Sequence, residues 1–444
     1  MSSNYIEEVK GKTISAERAA ALVKSNSWVD YGFGMGQPDL FDTALAARVA
    51  SLENVKIRGC LAMKARAVTE ADPHSRHVSY FSWYFSGLER GMHDRRLCHH
   101  IPMNFGEAPD YYRRFLDVDL AVIKTAPIDP HGFFNFGGAV TYQKALTEKA
   151  KVVIVETNPK TPYVFGLENA VHLRDVDYII EGDEQPIPEL NNPAPAPSDQ
   201  MVAELIAAEI EDGSCLQIGI GAMPNAVCEL IAKSSLKDLG IHTEMFVDSL
   251  LELVAAGRVT GARKELNRDQ IVFCFAAGSK RQYDFIDRNP MCFAAPVDYT
   301  NLPHHIMRNE KMVAIVNAAE MDLTGQACSE SAGIRHISGT GGQLQFIRGA
   351  YASRGGKAFL CMSSTHERHG QRRSRIVSLI DDSNVVTTPR TDVMYVVTEF
   401  GMVNLKGKSV PERARALISI AHPDFREQLE REASELRILP KAVY

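Results

Sequence analysis

The chain carries the same series of sequence signals twice, on either side of a proline-rich segment, and this repetition limits the folds it can adopt. The segment EQPIPELNNPAPAPS, residues 184–198, contains five prolines and little apolar periodicity, which is typical of a linker. We predict an N-terminal domain of residues 1–185, a linker of residues 186–198 and a C-terminal domain of residues 199–444. The repeated order of signals predicts that the two domains are homologous and arose by internal duplication.

The matched signals follow one order in both halves. An apolar run leads into a glycine turn and a helical pattern, then come a strand with an Asp-x-x-Gly turn, a double glycine before a helix, and a buried strand. The matched positions are Gly34, Gly36 and Pro38 with Gly219, Gly221 and Pro224; Asp129 and Gly132 with Asp322 and Gly325; Gly137 and Gly138 with Gly341 and Gly342; and Asp175 with Asp392.

The alternation of strand and helix patterns predicts the fold class. Short runs of β-branched residues, such as KVVIVET at 151–157, alternate with helical patterns such as AVTYQKALTEKA at 139–150. This order favours two open α/β domains with mostly parallel sheets and helices on their faces. Sites in such folds lie at the carboxyl ends of the strands.

Composition excludes several classes of function. A formal net charge of −6 gives no general attraction to nucleic acid. No apolar stretch is long enough to span a membrane, and the first residues do not resemble a secretory signal. Eight cysteines without a CxxC pair, many of them within apolar runs, predict buried thiols and a cytoplasmic protein. The sequence leaves open whether the chain forms a homo-oligomer.

Two histidine clusters invite a metal interpretation, namely His93 with His99 and His100, and the HERH string from His366 to His369. Neither has the HExxH spacing that places two imidazoles on one face of a helix beside a carboxylate. We therefore predict no metal site, and histidines that lie on the surface or make ordinary hydrogen bonds.

The glycine turns are candidate anion sites. Each turn exposes free backbone N–H groups at the start of a helix, but proline replaces the third glycine of a GxGxxG fingerprint, which argues against a dinucleotide. In SGTGGQLQF at 338–346, Gly341 and Gly342 can direct consecutive amides at one oxygen, as an oxyanion requires. A tight turn with only a structural purpose is the alternative at each site.

Glu244 is a candidate nucleophile because it lies at the end of the short strand in LGIHTEMF, and its counterpart in the first half falls near Cys60. One copy of a duplicated scaffold can therefore hold a carboxylate where the other only shapes the site. The residues alone do not assign this role, since the chain has 55 acidic residues and most acidic residues are solvated.

Several longer strings together resemble the acetyl-CoA hydrolase/transferase family over nearly the whole chain, and the 4-hydroxybutyrate and butyrate:acetate CoA-transferase branch in particular. The strings are GIHTEMF, IGIGAMP, GSKRQYDF, SGTGGQ, GGKAFLCMSST, TDVMYVVTEFG and AHPDFREQL. The resemblance implies CoA transfer between a short-chain acyl-CoA and a carboxylic acid, with CoA as a substrate and no permanently bound cofactor.

The resemblance also implies residue roles. Glu244 would be the nucleophile that becomes a glutamyl-CoA thioester, and Gly341 and Gly342 would contact the thioester oxygen. Asn301 and Glu399 would lie near the site. The turn at Gly219 and Gly221, together with Gln343, would lie beside the substrate.

Two departures from related sequences leave substrate preference open. Related sequences have other residues where this one has Gln345 and Phe400, and both positions adjoin the implied site.

The phosphates of CoA require local positive charge, for which Lys280 with Arg281, Lys357, and the group Arg372, Arg373 and Arg375 are candidates. The alternative functions are an acyl-CoA hydrolase using the same residues, a nicotinamide-dependent oxidoreductase, and a non-catalytic CoA-binding protein.

Overall fold

The computed structural model of the protein describes residues 3–190, 193–368, 370–380 and 383–440. In the first half the helices are α1 (Ser3–Lys12), α2 (Ala16–Ala20), α3 (Leu40–Ala46), α4 (Ala67–Ala71), α5 (Gly87–Asp94), α6 (Ala108–Arg114) and α7 (Gln143–Lys149). The strands are β1 (Trp28–Phe33), β2 (Val55–Cys60), β3 (Val78–Ser82), β4 (Cys98–His100), β5 (Leu120–Thr125), β6 (Phe133–Asn135), β7 (Val152–Thr157), β8 (Ala170–His172) and β9 (Tyr178–Ile180). Short 3-10 helices cover Gly34–Gly36, Val49–Ser51, Phe105–Glu107 and Leu173–Asp175.

Seven of these described strands form one parallel sheet in the order β4-β3-β2-β1-β5-β7-β9. Helices cover both faces of a parallel sheet, so its inner strands are buried on both sides. Strand β5 shows this pattern, because every residue from Leu120 to Thr125 is buried.

The second half contains helices α8 (Pro197–Ala207), α9 (Ala222–Lys233), α10 (Asp248–Ala255), α11 (Lys280–Ile286), α12 (Val297–Asn301), α13 (Pro303–Ile306), α14 (Gln343–Ala352), α15 (Val410–Ser419) and α16 (Pro423–Glu435). Its first strands are β10 (Cys215–Ile218), β11 (Gly240–Ile241), β12 (Met245–Phe246), β13 (Ile271–Phe273), β14 (Phe275–Ala276), β15 (Cys292–Ala294), β16 (Met312–Asn317), β17 (Glu320–Asp322) and β18 (Ala327–Cys328). The remaining strands are β19 (Ser331–Ala332), β20 (Arg335–His336), β21 (Lys357–Cys361), β22 (Thr365–Arg368), β23 (Gln371–Ser374), β24 (Ile376–Val377), β25 (Tyr395–Thr398) and β26 (Gly401–Asn404).

The second sheet repeats the strand order of the first. It runs β11-β10-β16-β21-β25-β26, and all neighbours are parallel except the β25–β26 hairpin. A parallel bridge between His242 and Val272 continues it toward the parallel pair β13–β15. Strands β1, β2, β5, β7 and β9 thus correspond to β10, β11, β16, β21 and β25. Gly34 and Gly219 each follow the equivalent strand, which confirms the predicted duplicated α/β fold.

A matched pair of turns supports the same conclusion at atomic detail. Asp129 accepts hydrogen bonds at Oδ1 from the backbone N–H groups two and four residues later, at distances of 2.8 and 3.0 Å. Asp322 accepts the equivalent pair at 2.9 and 3.0 Å. Such side-chain bonds define an Asx turn, so both Asp-x-x-Gly strings form one local structure.

The two halves share an apolar core and exchange backbone hydrogen bonds. The ring of Phe33 lies 4.7 Å from that of Phe275, centroid to centroid, within one buried cluster that includes both halves. In one direction, Ala276 N donates to the Gly138 carbonyl at 2.8 Å. In the other, Phe105 N donates to the Gly341 carbonyl at 3.0 Å. The double-glycine segment of each half therefore packs against the opposite half.

The predicted linker follows the second half closely. Its described residues, 186–190 and 193–198, contain no strand, and α8 begins within it at Pro197, while Asn191 and Asn192 lie outside the described residues. Leu190 N donates to the Gly278 carbonyl at 3.0 Å, and Tyr283 Oη donates to the Pro188 carbonyl at 2.8 Å. The predicted domain boundaries themselves stay a prediction.

The eight cysteines are all buried and carry free thiols, as predicted. No helix in the described part of the chain combines the length and apolar character needed to cross a bilayer.

Candidate active site

A cleft of about 280 Å³ lies between the carboxyl ends of strands from both sheets. The turn after β10 and the end of β16 form one side, and residues that follow β1 to β4 form the other. Second-half lining residues include Ile218, Gly219, Ile220, Glu244, Met245, Phe275, Asn317, Gly341, Gly342, Gln343 and Phe346. First-half lining residues include Phe33, Cys60, Leu61, Trp83, Tyr84, Met103 and Phe105. The duplication thus brings together the carboxyl ends of the strands of both parallel sheets, where sites in such folds lie.

The backbone of Glu244 is held firmly between two strand ends. Its carbonyl oxygen accepts hydrogen bonds from Cys274 N at 3.0 Å and Phe275 N at 3.2 Å. The thiol of Cys274 donates to the same oxygen at 3.2 Å. These bonds fix the main chain from which the carboxylate enters the cleft.

The Glu244 carboxylate is the one charged group that the cleft receives from its described lining. Asn301 Nδ2 donates to Oε2 at 2.5 Å, and the backbone N–H of Gly342 also donates to the carboxylate. Burial raises the pKa of Glu244 to about 7, against the opposing effect of these two donors. Near neutral pH the group is therefore balanced between its protonated and ionised forms.

Gly342 is required at its position by the close approach of the carboxylate. A Cβ atom there would overlap Oε2 of Glu244 and Nδ2 of Asn301. Gly341 has φ of 54°, and its carbonyl is bound to the first half as described above. The structure therefore brings together Glu244, Asn301, Gly341 and Gly342, which the resemblance implied as one site.

The turn after β10 also reaches the cleft. Gly219 and Ile220 line it, and Gly221, with φ of 128°, precedes the twelve-residue helix α9. A backbone angle in this range favours glycine. Asn317 Nδ2 donates to the Ile220 carbonyl at 3.3 Å and fixes the turn against β16.

Gln343 lines the cleft as predicted, but its amide is already engaged. Nε2 donates to Ser329 Oγ at 2.9 Å and to Thr388 Oγ1 at 3.1 Å. Within the described residues, the bond from Gln343 to Ser329 holds the beginning of α14 against the segment after β18.

Three predicted residues do not reach the cleft. Glu399 follows β25, but its carboxylate accepts hydrogen bonds from Ser364 N at 2.8 Å and Ser364 Oγ at 2.6 Å. Lys280 lies at the beginning of α11, where Nζ pairs with Asp284 at 2.6 Å. Lys357 is the first residue of β21, at the edge of the sheet away from the cleft, and pairs with Glu209 at 2.8 Å. Its contact with CoA stays a prediction.

Three of the other candidate cations, Arg281, Arg372 and Arg375, also have structural partners. Arg281 pairs with Glu252, and Arg372 pairs with Asp424 at 3.5 Å. Arg375 donates to the Ala319 carbonyl at 2.8 Å, and burial lowers the pKa of its guanidinium. No Lys, Arg or His belongs to the described lining of the cleft.

The first half also supplies residues that line the cleft and that the sequence did not predict. Trp83 and Tyr84 follow β3, and burial raises the pKa of the Tyr84 phenol to about 12, with the Glu244 charge adding to the effect. Cys60 is the last residue of β2, where the duplication predicted the counterpart of Glu244. The available signal was the aromatic string FSWYF at 81–85, which begins at the end of β3.

The two departures from related sequences have different surroundings. Gln345 Oε1 accepts a hydrogen bond from Gly106 N at 2.9 Å, which joins α14 to the first half close to Asn301. Phe400 faces away from the cleft, with its ring 5.2 Å from that of His422. Only Gln345 therefore contacts the surroundings of Glu244.

The histidine clusters have aromatic rather than metal-ligand arrangements. The rings of His100 and His336 stack with centroids 4.1 Å apart, and Phe85 packs edge-on against His100. Across the described segments, no three His, Cys, Asp or Glu side chains are grouped so that they could hold a metal ion. His369, in the second predicted cluster, lies outside the described residues.

Comparisons with known proteins agree with this geometry. Residues 2–191 match the acetyl-CoA hydrolase/transferase N-terminal domain, and residues 278–433 match the C-terminal domain of the same name. The chain is 45% identical over 439 residues to butyryl-CoA:acetate CoA-transferase of Anaerostipes caccae, covering 98% of each protein. It is 40% identical over 428 residues to the 4-hydroxybutyrate coenzyme A transferase of Clostridium kluyveri, covering 96% of this chain and 98% of that protein. Its structure is similar to the crystal structure of RipA from Yersinia pestis, with a TM-score of 0.90, 34% identity, and coverage of 98% of this chain and 100% of that one.

Proposed function

Because this chain belongs to the acetyl-CoA hydrolase/transferase family, we propose that it is an enzyme that transfers CoA from a short-chain acyl-CoA to a free carboxylate such as acetate. Its similarity to the butyryl-CoA:acetate and 4-hydroxybutyrate enzymes supports butyryl and 4-hydroxybutyryl groups as the acyl chains exchanged. CoA is then a substrate of the reaction.

One observation carries this proposal. Among the described residues that line the cleft, Glu244 is the single carboxylate, and no His, Asp, Lys or Arg accompanies it. A carboxylate that is the single charged group of such a cleft can itself attack a thioester. Glu244 is therefore proposed as the covalent carrier.

The reaction would proceed through two covalent intermediates. The Glu244 carboxylate attacks the thioester carbonyl, the C–S bond breaks, and CoA thiolate leaves a mixed anhydride. The thiolate then attacks the glutamyl carbonyl carbon, the anhydride C–O bond breaks, and the first acid leaves as its carboxylate from a glutamyl-CoA thioester. The acceptor carboxylate repeats both steps in reverse, which gives ping-pong kinetics.

The donors around Glu244 would stabilise the charge that develops on the glutamyl oxygen. When thiolate adds to the glutamyl carbonyl, Oε2 becomes an oxyanion within reach of Asn301 Nδ2 and the Gly342 amide. Donors that are already oriented in a dry site stabilise such charge without reorganising. Gly341 is proposed to serve the acyl oxygen from the adjacent position.

The apolar walls would protect the thioester from water. Phe33, Trp83, Met245 and Phe275 lie around the carboxylate, and the described lining offers no histidine to deprotonate a water molecule. Transfer to a carboxylate, which needs no base, is favoured over hydrolysis for the same reason. The phosphates of CoA would lie outside this apolar cleft, where Lys280 stays a predicted contact.

The test is a matrix of acyl-CoA donors against short carboxylates, with CoA release measured with and without acetate. We expect exchange that depends on the acceptor and little release without it. Incubation with acyl-CoA alone, followed by borohydride reduction and peptide mass spectrometry, should locate one adduct at Glu244. Glu244→Ala should abolish both adduct and exchange.

Glu399→Ala is the matched control, because its carboxylate also follows a strand of the same sheet but bonds to Ser364. We expect it to slow exchange while the adduct still forms. Release of CoA at equal rates with and without acetate would identify a hydrolase, and an adduct on another residue would disprove the proposed mechanism.

A further inference from the structure

The segment between β11 and β12, which carries Glu244, and helix α12, which carries Asn301, are joined by two side-chain bonds. His242 Nε2 donates to the Thr300 carbonyl at 2.8 Å, and Asn301 Nδ2 donates to Glu244 Oε2 at 2.5 Å. His242 and Glu244 are two residues apart in the chain, and their partners Thr300 and Asn301 are adjacent residues of α12. Through these two bonds, His242 and Glu244 of the HTE string both hold helix α12.

The orientation of the Asn301 amide depends on Thr300. Thr300 Oγ1 donates to Asn301 Oδ1 at 2.8 Å, which marks that oxygen as the acceptor and turns Nδ2 toward Glu244. An amide rotated the other way would place its oxygen against the carboxylate and leave the threonine donor without this acceptor. Thr300 and Asn301 are both fully buried, so water cannot take over either bond.

We propose that Thr300, supported by His242, is a positioning residue of the transfer reaction, which fixes the Asn301 amide as a hydrogen-bond donor to Glu244. This inference rests on the proposed function, because it assigns a purpose to the bond only if Glu244 is the nucleophile. Thr300 does not touch the cleft in the described structure; it acts through the side chain of its neighbour.

The bond between His242 and Thr300 does not change with pH over the working range. Burial, together with the nearby charge of Lys264, lowers the pKa of His242 to about 3 against the opposing effect of its bond to Thr300, so the imidazole stays neutral. Its Nε2–H donates to the carbonyl throughout. The bond between His242 and Thr300 therefore holds α12 in place while Glu244 itself titrates.

The groups that face Glu244 from neighbouring elements carry no charge near neutral pH. They are the thiol of Cys60 at the end of β2, the phenol of Tyr84 after β3 and the thiol of Cys274 before β14. Burial raises the pKa of each. A change in the pKa of Glu244 would thus report the donors at its carboxylate, which makes a pH profile a direct readout.

The experiment compares Thr300→Val with Thr300→Ser by the amount of Glu244–CoA adduct and by kcat/KM between pH 5.5 and 9. Removing the hydroxyl should weaken donation to the ionised carboxylate and shift the midpoint upward by about one pH unit. That shift corresponds to about a tenfold loss at pH 6 and nearly full recovery at pH 9. Serine keeps the hydroxyl and should retain the wild-type midpoint.

Asn301→Ala completes a double-mutant cycle. It should shift the midpoint at least as far as Thr300→Val, and the double variant should lose no more than Asn301→Ala alone. Thr300→Ala, which also lacks the hydroxyl, replaces the valine variant if that one does not fold. A wild-type profile in a variant without the hydroxyl, a serine variant that behaves like valine, or additive losses would each overturn the inference. Failure of the proposed function is seen separately, as exchange that survives in Glu244→Ala.

Discussion

At the scale of single residues, the burial of one carboxyl group sets the expected pH dependence. The pKa of Glu244 is raised to about 7, and only the ionised form can attack a thioester. We predict that log kcat/KM rises with pH below about 7 and levels off above it, as a single ionisation of the free enzyme. Rates measured by stopped assay from pH 5.5 to 9 would check this. A flat profile over that range, with the fold intact by circular dichroism, would contradict it.

The burial of Glu244 lowers the stability of the folded state as pH rises, whereas the activity increases with pH. A carboxyl group whose folded pKa lies above its unfolded value destabilises the folded state as pH rises through the interval between them. For Glu244 this interval runs from the ordinary value of 4.5 to about 7. Glu244→Gln should therefore raise the melting temperature at pH 8 but change it little at pH 4.5. An equal gain at both pH values would show that another interaction is responsible.

The contact between Gly342 and the carboxylate gives a third prediction. Gly342→Ala places a Cβ atom where Glu244 and Asn301 already meet, so the carboxylate must move. We expect exchange to fall about 100-fold, because displacement of a reacting group by about 1 Å has effects of that size. Gly91→Ala is the control, since a Cβ there meets nothing within 4 Å in helix α5. Equal activity of the two variants would refute the assignment.

At the scale of elements, a buried ion pair joins β1, β2 and α6. Arg58 donates to both oxygens of Asp30 at 2.9 and 2.8 Å, and Tyr112 Oη donates to Asp30 at 2.6 Å. The two charged side chains are 2% and 0% exposed, so removing one leaves the other unpaired in the core.

Asp30→Ala is accordingly expected to lower the free energy of unfolding by about 3–5 kcal/mol. The matched control is Glu70→Ala, which breaks the exposed pair with Arg95 and should cost at most about 1 kcal/mol. Urea denaturation followed by tryptophan fluorescence gives both values. Similar losses for the two variants would mean that the buried pair does not hold these elements together.

At the scale of the whole molecule, the active cleft exists only where the two halves meet. The carboxylate and its donors come from the second half, whereas Trp83, Tyr84 and Phe105 come from the first. The shared apolar cluster and the exchanged backbone bonds make each half part of the other's core.

Residues 1–185 and 199–444 produced separately should therefore each expose apolar surface and lack activity. We expect strong binding of a hydrophobic dye and weak near-ultraviolet circular dichroism for the isolated first half. The full chain, measured alongside, should show neither property. A first half that unfolds sharply and binds no dye would instead show that the predicted boundary separates independent domains.

The sequence alone determined the features that depend on local order. Apolar runs, glycine turns and Asp-x-x-Gly strings recur in one order, so the duplicated α/β fold could be predicted. Equivalent strands then had to place the turn after β10 and the end of the Glu244 strand at the same edge of one sheet. The family resemblance added that Glu244, Asn301 and the glycines at 341 and 342 meet, and the structure brings these residues together.

Only the tertiary structure decided which distant residues approach this edge. Lys357 was a candidate phosphate contact because it is a cation, yet the direction of its strand places it at the opposite edge of the sheet. Trp83 and Tyr84 reach the cleft because the first half packs against the second. These positions depend on how two sheets pack against each other, and contacts between residues far apart in the chain leave no local pattern in the sequence.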